Sequence, residues 1–127
     1  IPERDGIWMG LVLFEYMAKS GKSLEELIEE VYGLVGAFKY WRDDLHIDEK
    51  VKNAIVKKCI NDQFQFFGKY TVQSIDKTDG FKFILSDDEW LMIRPSGTEP
   101  VLRCYAESKD LEGAKEILSA CKKEIGF

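Results

Sequence analysis

The segment "FKFILSDDEWLMIRPSGTEPVLRCYAE" (Phe81 to Glu107) contains three short apolar-rich runs separated by two polar connections. In the first run, Phe81, Phe83 and Leu85 alternate with more polar positions such as Lys82, which is typical of a β-strand with one buried face. The two connections are short enough for hairpins, whereas parallel strands need a long crossover. This segment therefore predicts three consecutive antiparallel strands, and it decides the fold class.

The flanking sequence adds further elements. The patterns predict an extended entry strand, a helix, another strand and a final amphipathic helix, at Phe38 to Ile47, about Glu49 to Asn61, "YTVQSID" and about Leu111 to Lys123. Asp79–Gly80 predicts a type I′ hairpin turn, which needs positive φ at both central residues. The expected fold is α+β, with a mostly antiparallel four- to five-stranded sheet and flanking helices.

Two helices are predicted before this domain. Ile7, Leu11 and Phe14 recur at helical spacing, and Ser23 with Glu26 forms a capping box for the second helix. The first helix is apolar around most of its circumference, so we expect it to be buried on more than one side by a partner outside this chain. The character of the sequence changes near Gly36, which divides the chain into residues 1–37 and 38–127.

Composition excludes several classes of protein. The 127 residues carry a net charge of −5, which argues against a nucleic-acid surface. No apolar run approaches the roughly 20 residues that a membrane span needs, and no secretory signal pattern is present. Cys59, Cys104 and Cys121 are widely spaced and odd in number, which predicts reduced, buried thiols in a cytoplasmic protein. His46 is the single histidine, so a His-based metal site or catalytic triad is not expected.

The connection "RPSGTEP" (Arg94 to Pro100) combines groups that bind anions. The guanidinium of Arg94 suits a phosphate or carboxylate, and Ser96 and Thr98 each offer a hydroxyl donor. Gly97 allows close approach and a positive φ, so that successive N–H groups form an anion nest. Strand alternation and a symmetric hairpin would bring Arg103 toward Arg94. No base accompanies the hydroxyls, so the loop is predicted to hold a phosphate without reacting with it.

A purely structural interpretation stays open. In that case Ser96 and Thr98 make turn hydrogen bonds, and Arg94 pairs with Glu99. The acidic pairs Asp43–Asp44 and Asp87–Asp88 flank predicted turns, where solvated acids are common, so they are not taken as metal or catalytic groups.

The loop and its surroundings resemble a known family. "RPSGTEP" followed by "VLRCYAE", preceded by "DGFKFIL" and "EWLMIR" and by "RDGIWMGLVLFEYMAKSGKSLEEL" near the start, resembles the C-terminal region of the α-D-phosphohexomutase superfamily, the phosphoglucomutases and phosphomannomutases. The resemblance covers essentially the whole chain. It implies a fold like the TATA-binding protein for residues 38–127, as domain 4 of four, and it implies that residues 1–37 are the closing helices of domain 3.

The resemblance also implies a function. Members transfer a phosphoryl group between the 1- and 6-positions of a hexose phosphate, through an enzyme phosphoserine and a bisphosphorylated sugar, with Mg²⁺. It implies that Arg94, Ser96, Gly97 and Thr98 contact the substrate phosphate and that Arg103 supports them. The serine, magnesium and "GE-x-S-G" sugar loops are absent from this sequence. We therefore expect no catalytic residue and no metal site in the chain, and no activity from the chain alone.

The expected partners are a hexose phosphate and the other three domains of the same chain, with no nucleic acid and no membrane. "RCYAES" favours the glucose/mannose branch over the glucosamine branch, which stays open. A non-enzymatic module that binds phosphorylated metabolites, and a structural interaction domain, also stay open.

Overall fold

A computed structural model describes residues 5–127. The chain divides into two compact units, and the boundary lies between Ala37 and Phe38. The first unit consists of helix α1 (Gly6–Ser20) and helix α2 (Leu24–Val35). Asp5 caps α1 by accepting a hydrogen bond from the Trp8 N–H at 2.9 Å. The predicted capping box of Ser23 and Glu26 is present at the start of α2.

Helix α1 has no buried residue. Ile7 is 80% exposed and Phe14 is 69% exposed, so helix α2 of the same unit does not cover the apolar circumference of α1. The expectation that a partner outside this chain buries the helix stays a prediction. In that part, no helix combines the length and the apolar character that crossing a membrane requires.

The second unit, Phe38–Phe127, contains nine elements. In chain order they are β1 (Lys39–His46), α3 (Glu49–Ile60), β2 (Phe66–Phe67), β3 (Tyr70–Thr71), β4 (Ser74–Asp76), β5 (Phe81–Ile84), β6 (Trp90–Pro95), β7 (Val101–Ser108) and α4 (Leu111–Ile125). Five strands form one antiparallel sheet in the order β1-β7-β6-β5-β4, and β2 pairs with β3 in a separate small hairpin. The predicted α+β fold with an antiparallel sheet and flanking helices is confirmed.

Two local predictions are wrong. "YTVQSID" forms two strands and not one, because successive amides bond to different sheets. The Val72 N–H donates to the Gln65 carbonyl, and the Gln73 N–H donates to the Ile84 carbonyl. The turn at Asp79–Gly80 is not type I′, since only the glycine has a positive φ. Asp76 holds this loop instead, because its carboxylate accepts hydrogen bonds from both the N–H and the hydroxyl of Thr78.

The core lies between one face of the large sheet and helices α3 and α4. Alternation along β6 and β7 sends Leu91, Ile93 and Cys104 into this core. All three cysteines are free and buried, as predicted, and burial raises the pKa of the Cys59 thiol to about 12. The same alternation places Arg94 and Arg103 on the opposite face of the sheet.

Candidate functional site

The hairpin of β6 and β7 brings two arginines together. Arg94 and Arg103 are direct cross-strand partners, as a symmetric hairpin required. Like charges at such positions destabilise a sheet unless an opposite charge is near. Each guanidinium forms one ion pair: Nη2 of Arg94 lies 3.2 Å from Oδ1 of Asp79, and Nη2 of Arg103 lies 3.3 Å from Oε2 of Glu99.

These ion pairs differ from the predicted one. Glu99 pairs with Arg103 and not with Arg94, because the β4–β5 loop carries Asp79 to the end of β6. The side chains of Asp79 and Glu99 are 71% and 59% exposed. Exposed pairs of this kind contribute about 0–1 kcal/mol each, so a stronger anion can replace them at little cost.

A third acid lies beside the arginines but is already engaged. Asp44 is the β1 partner of Arg103 across the sheet. Both of its carboxylate oxygens accept hydrogen bonds at 2.7 Å from Arg42, and this bidentate contact holds the pKa of Asp44 below its usual range. Asp44 thus has its hydrogen bonds to Arg42, and Arg103 lowers the pKa of Asp44 only by its nearby positive charge.

The loop that joins the two strands is closed by three backbone hydrogen bonds. Ser96 N–H donates to the Val101 carbonyl, Val101 N–H donates to the Glu99 carbonyl, and Ile47 N–H donates to the Pro100 carbonyl. Within residues 5–127, the N–H groups at positions 97–99 have no protein acceptor. The loop therefore offers consecutive amide donors next to two guanidinium groups.

The loop side chains fall into two groups. Ser96 is only 6% exposed, whereas Gly97 and Thr98 are exposed. The predicted positive φ of Gly97 is wrong, since its backbone lies outside the left-handed region, and a Cβ there would meet no heavy atom within 4 Å. Neither backbone conformation nor packing within the described chain demands glycine at position 97.

Gly80 shows the opposite case. Its φ is +96°, and a Cβ would lie 3.1 Å from the Ile93 carbonyl oxygen and 3.3 Å from Cγ of Arg94. Phe81 pairs with Ile93, so the chain just before β5 runs beside Arg94. Gly80 is therefore required by the fold, and it lets the backbone approach the stem of Arg94.

Sequence reasoning missed Lys52. This α3 residue is 6% exposed, and its ammonium donates to the carbonyl oxygens of Ser96 and Glu99, each at 3.0 Å. Its third contact is an ion pair with Glu49 at 2.9 Å. The signal was present, because Lys52, Ile55 and Cys59 share the buried helix face at spacings of three and four residues.

The described residues contain no group of three or more His, Cys, Asp or Glu side chains that could hold a metal ion. Fold and loop together define an α+β domain with an arginine-flanked hairpin. Residues 42–123 match the family described as "Phosphoglucomutase/phosphomannomutase, C-terminal domain". The chain belongs to this phosphohexomutase family.

Individual relatives agree. A "Phosphoglucomutase/phosphomannomutase" of Thermococcus kodakarensis is 36% identical over 91% of this chain and 23% of its own length. A "Probable phosphoglucosamine mutase" of Methanobrevibacter smithii is 31% identical over 95% of this chain and 26% of its own. A "Phosphomannomutase" of Salmonella muenchen is 29% identical over 99% of this chain and 27% of its own length. The chain spans about a quarter of the length of these relatives.

Proposed function

We propose that residues 38–127 bind the substrate phosphate of a complete phosphohexomutase, which moves a phosphoryl group between the 1- and 6-positions of a hexose phosphate. The observation that carries this proposal is the direct cross-strand pairing of Arg94 with Arg103 beside a loop whose amides have no acceptor in the described chain. In this proposal Ser96, Gly97 and Thr98 contact the phosphate together with Arg94, and Arg103 supports them.

The chemistry of the loop suits a grip that does not react. A phosphate monoester replaces Asp79 and Glu99 as partner of the two guanidinium groups and accepts hydrogen bonds from the loop amides. Each charge-assisted hydrogen bond contributes roughly 1.5–3 kcal/mol. The connection from Arg94 to Pro100 contains no histidine or lysine that could take the proton of the Thr98 hydroxyl and activate it as a nucleophile. A mutase needs such an anchor, because it must accept the phosphate at either end of the sugar.

We further propose that residues 1–37 close a preceding domain and that the region from Gly36 to Lys39 is a hinge. The exposed apolar surface of α1 and the fourfold greater length of the relatives support the first part. Gly36 supports the second, because its φ of +86° with ψ of 159° is accessible essentially only to glycine. Hinges absorb backbone changes at a few such residues when a cleft closes.

The remaining catalytic parts are proposed to lie in the rest of the protein. They are the phosphoserine that carries the phosphoryl group and the residues that hold Mg²⁺, since residues 5–127 contain no group of three or more His, Cys, Asp or Glu side chains that could bind a metal ion. A cytoplasmic location is part of the proposal, and the three free, buried thiols support it.

The substrate is proposed to be glucose or mannose phosphate, in line with the names of two of the relatives. A glucosamine phosphate is the second candidate, because the Methanobrevibacter smithii relative is named a probable phosphoglucosamine mutase. A module that binds a phosphorylated metabolite without converting it is the non-enzymatic alternative.

One assay separates these functions. The complete natural protein and the 127-residue chain are each incubated with the 1-phosphates of glucose, mannose and glucosamine, and the 6-phosphates are quantified. We expect conversion by the complete protein and no turnover by the chain alone. Binding without conversion by the complete protein would indicate a sensor, and turnover by the purified chain would overturn the proposal.

A further inference from the structure

Lys52 is a buried cation that the proposed phosphate grip does not yet use. It is 6% exposed, and removing an ammonium from water is costly unless all its hydrogen-bonding capacity is satisfied. An ammonium has three N–H donors, and Lys52 has three partners: the carbonyl oxygens of Ser96 and Glu99, each at 3.0 Å, and the Glu49 carboxylate at 2.9 Å. Two of these three contacts are to the backbone of the loop.

These two contacts orient the loop backbone. No peptide bond in the described chain is cis, and in a trans peptide the C=O of one residue and the N–H of the next point in opposite directions. With the Ser96 carbonyl directed to the buried Lys52, the Gly97 N–H is directed away from it, toward the exposed side of the loop. Glu99 is followed by Pro100, which has no N–H. The Glu99 carbonyl can therefore be fixed by Lys52 without changing the direction of any amide donor.

Lys52 also removes an electrostatic obstacle. Carbonyl oxygens carry partial negative charge, and an oxygen facing a phosphate would repel it. The ammonium holds two such oxygens on the core side of the loop, so these two do not oppose a ligand that binds at the amide donors and the nearby guanidinium groups. We infer that Lys52 is the positioning residue of the phosphate loop, holding the carbonyls of Ser96 and Glu99 so that the Gly97 amide faces the phosphate; this inference rests on the proposed function.

The test measures the complete protein for KM and kcat with glucose 1-phosphate, the inhibition constant of inorganic phosphate, and the melting temperature. Lys52→Met keeps an unbranched side chain, one heavy atom shorter than lysine, and removes the charge and the donors. We expect KM and the phosphate inhibition constant both to rise roughly tenfold, since two charge-assisted hydrogen bonds that shape the loop are lost. We expect kcat to fall less than KM rises, because Lys52 lies behind the loop and touches no reacting atom.

Two controls isolate this effect. Glu49→Gln removes the negative charge of the exposed partner of Lys52 and leaves both loop contacts, so KM and the inhibition constant should stay at wild-type values. Ile117→Val lowers stability in the core at a residue outside the loop, and it should lower the melting temperature without changing either constant. If Lys52→Met does not fold, Lys52→Gln replaces it, with an expected rise of at least threefold that reflects the loss of the charge.

Unchanged constants in a folded Lys52 variant would overturn the inference. The inference would also be overturned if Lys52→Met and Ile117→Val lowered the melting temperature equally and raised KM equally. Lys52 would then contribute only to general stability. The proposed function fails separately: it falls if the wild-type protein does not convert hexose phosphates or if Arg94→Ala leaves KM unchanged. If the wild-type protein is active and KM rises in Arg94→Ala but not in Lys52→Met, only the role of Lys52 is overturned.

Discussion

Strand β6 is connected to its two neighbours by loops whose charged surroundings differ. At one end, residues 86–89 carry three acidic side chains, and at the other end the loop of residues 96–100 lies between Arg94 and Arg103. The first loop is held by its own groups: the Glu89 carboxylate accepts hydrogen bonds from the Ser86 and Ser108 hydroxyls. The second is held from below by Lys52.

The charged groups around the two loops distinguish an ordinary turn from a candidate anion site. In both loops, backbone amides lack a protein acceptor within residues 5–127, including those of Asp87 and Asp88 in the acidic loop. Free amides are therefore not sufficient evidence. The first loop carries only carboxylates, which repel an anion, whereas at the second loop two guanidinium groups and a buried ammonium offset the neighbouring carboxylates and can attract an anion. A net charge of −5 does not prevent anion binding when the positive charges are local.

The strongest test of this contrast removes an arginine from the basic loop. In the complete protein, Arg94→Ala should raise KM by roughly ten- to 150-fold and also lower kcat, because a charge-assisted contact of about 1.5–3 kcal/mol is lost and the sugar is misplaced at its distant end. Arg94→Lys should recover only part, since an ammonium keeps the charge but not the planar fork.

Kinetics and thermal unfolding of both Arg94 variants are measured together. The melting temperature should hardly change, because Arg94 is exposed and its ion pair with Asp79 is weak. Near-normal kinetics with a clearly lowered melting temperature would mean that Arg94 serves the hairpin and that the two loops do not differ in function.

Two glycines near the basic loop sharpen the contrast further. Gly97→Ala places a methyl group in open space, so stability should be unchanged or slightly higher, while KM should rise by roughly five- to thirty-fold, about 1–2 kcal/mol, if a phosphate approaches there. Gly80→Ala is the matched control: it strains a φ of +96° and crowds the Ile93 carbonyl, so unfolding should be easier by about 1–3 kcal/mol.

Chemical denaturation and steady-state kinetics of the two glycine variants check this pair of outcomes. A Gly97→Ala protein with wild-type KM would show that no ligand lies close to the loop backbone.

The smallest effect is expected at the acidic loop. Asp88→Asn removes an exposed ion pair with Lys109. The side chain of Asp88 is 58% exposed, and that of Lys109 is 74% exposed. KM should stay at its wild-type value, and the free energy of unfolding should change by no more than about 1 kcal/mol. A substantial change in KM would place substrate at both ends of β6 and would remove the distinction between the loops.

Much of this domain was predictable from local patterns. The alternation of Phe81, Phe83 and Leu85 identified a strand, and the short polar connections identified hairpins, because side-chain period and turn length are properties of neighbouring residues. The type I′ turn at Asp79–Gly80 failed for a related reason: the side chain of Asp76 stabilises a longer loop, and two-residue turn statistics do not include it.

Sequence patterns predicted the antiparallel sheet and the candidate anion-binding residues of the connection between β6 and β7. Only the tertiary structure decided which charges meet. Arg94 faces Arg103 because of the hairpin register, and Asp79 reaches Arg94 because β5 pairs with β6. Lys52 reaches the Ser96 carbonyl across 44 positions of sequence, because α3 packs beneath the sheet and directs this side chain to the loop. No local period encodes such a contact, since packing between distant elements creates it.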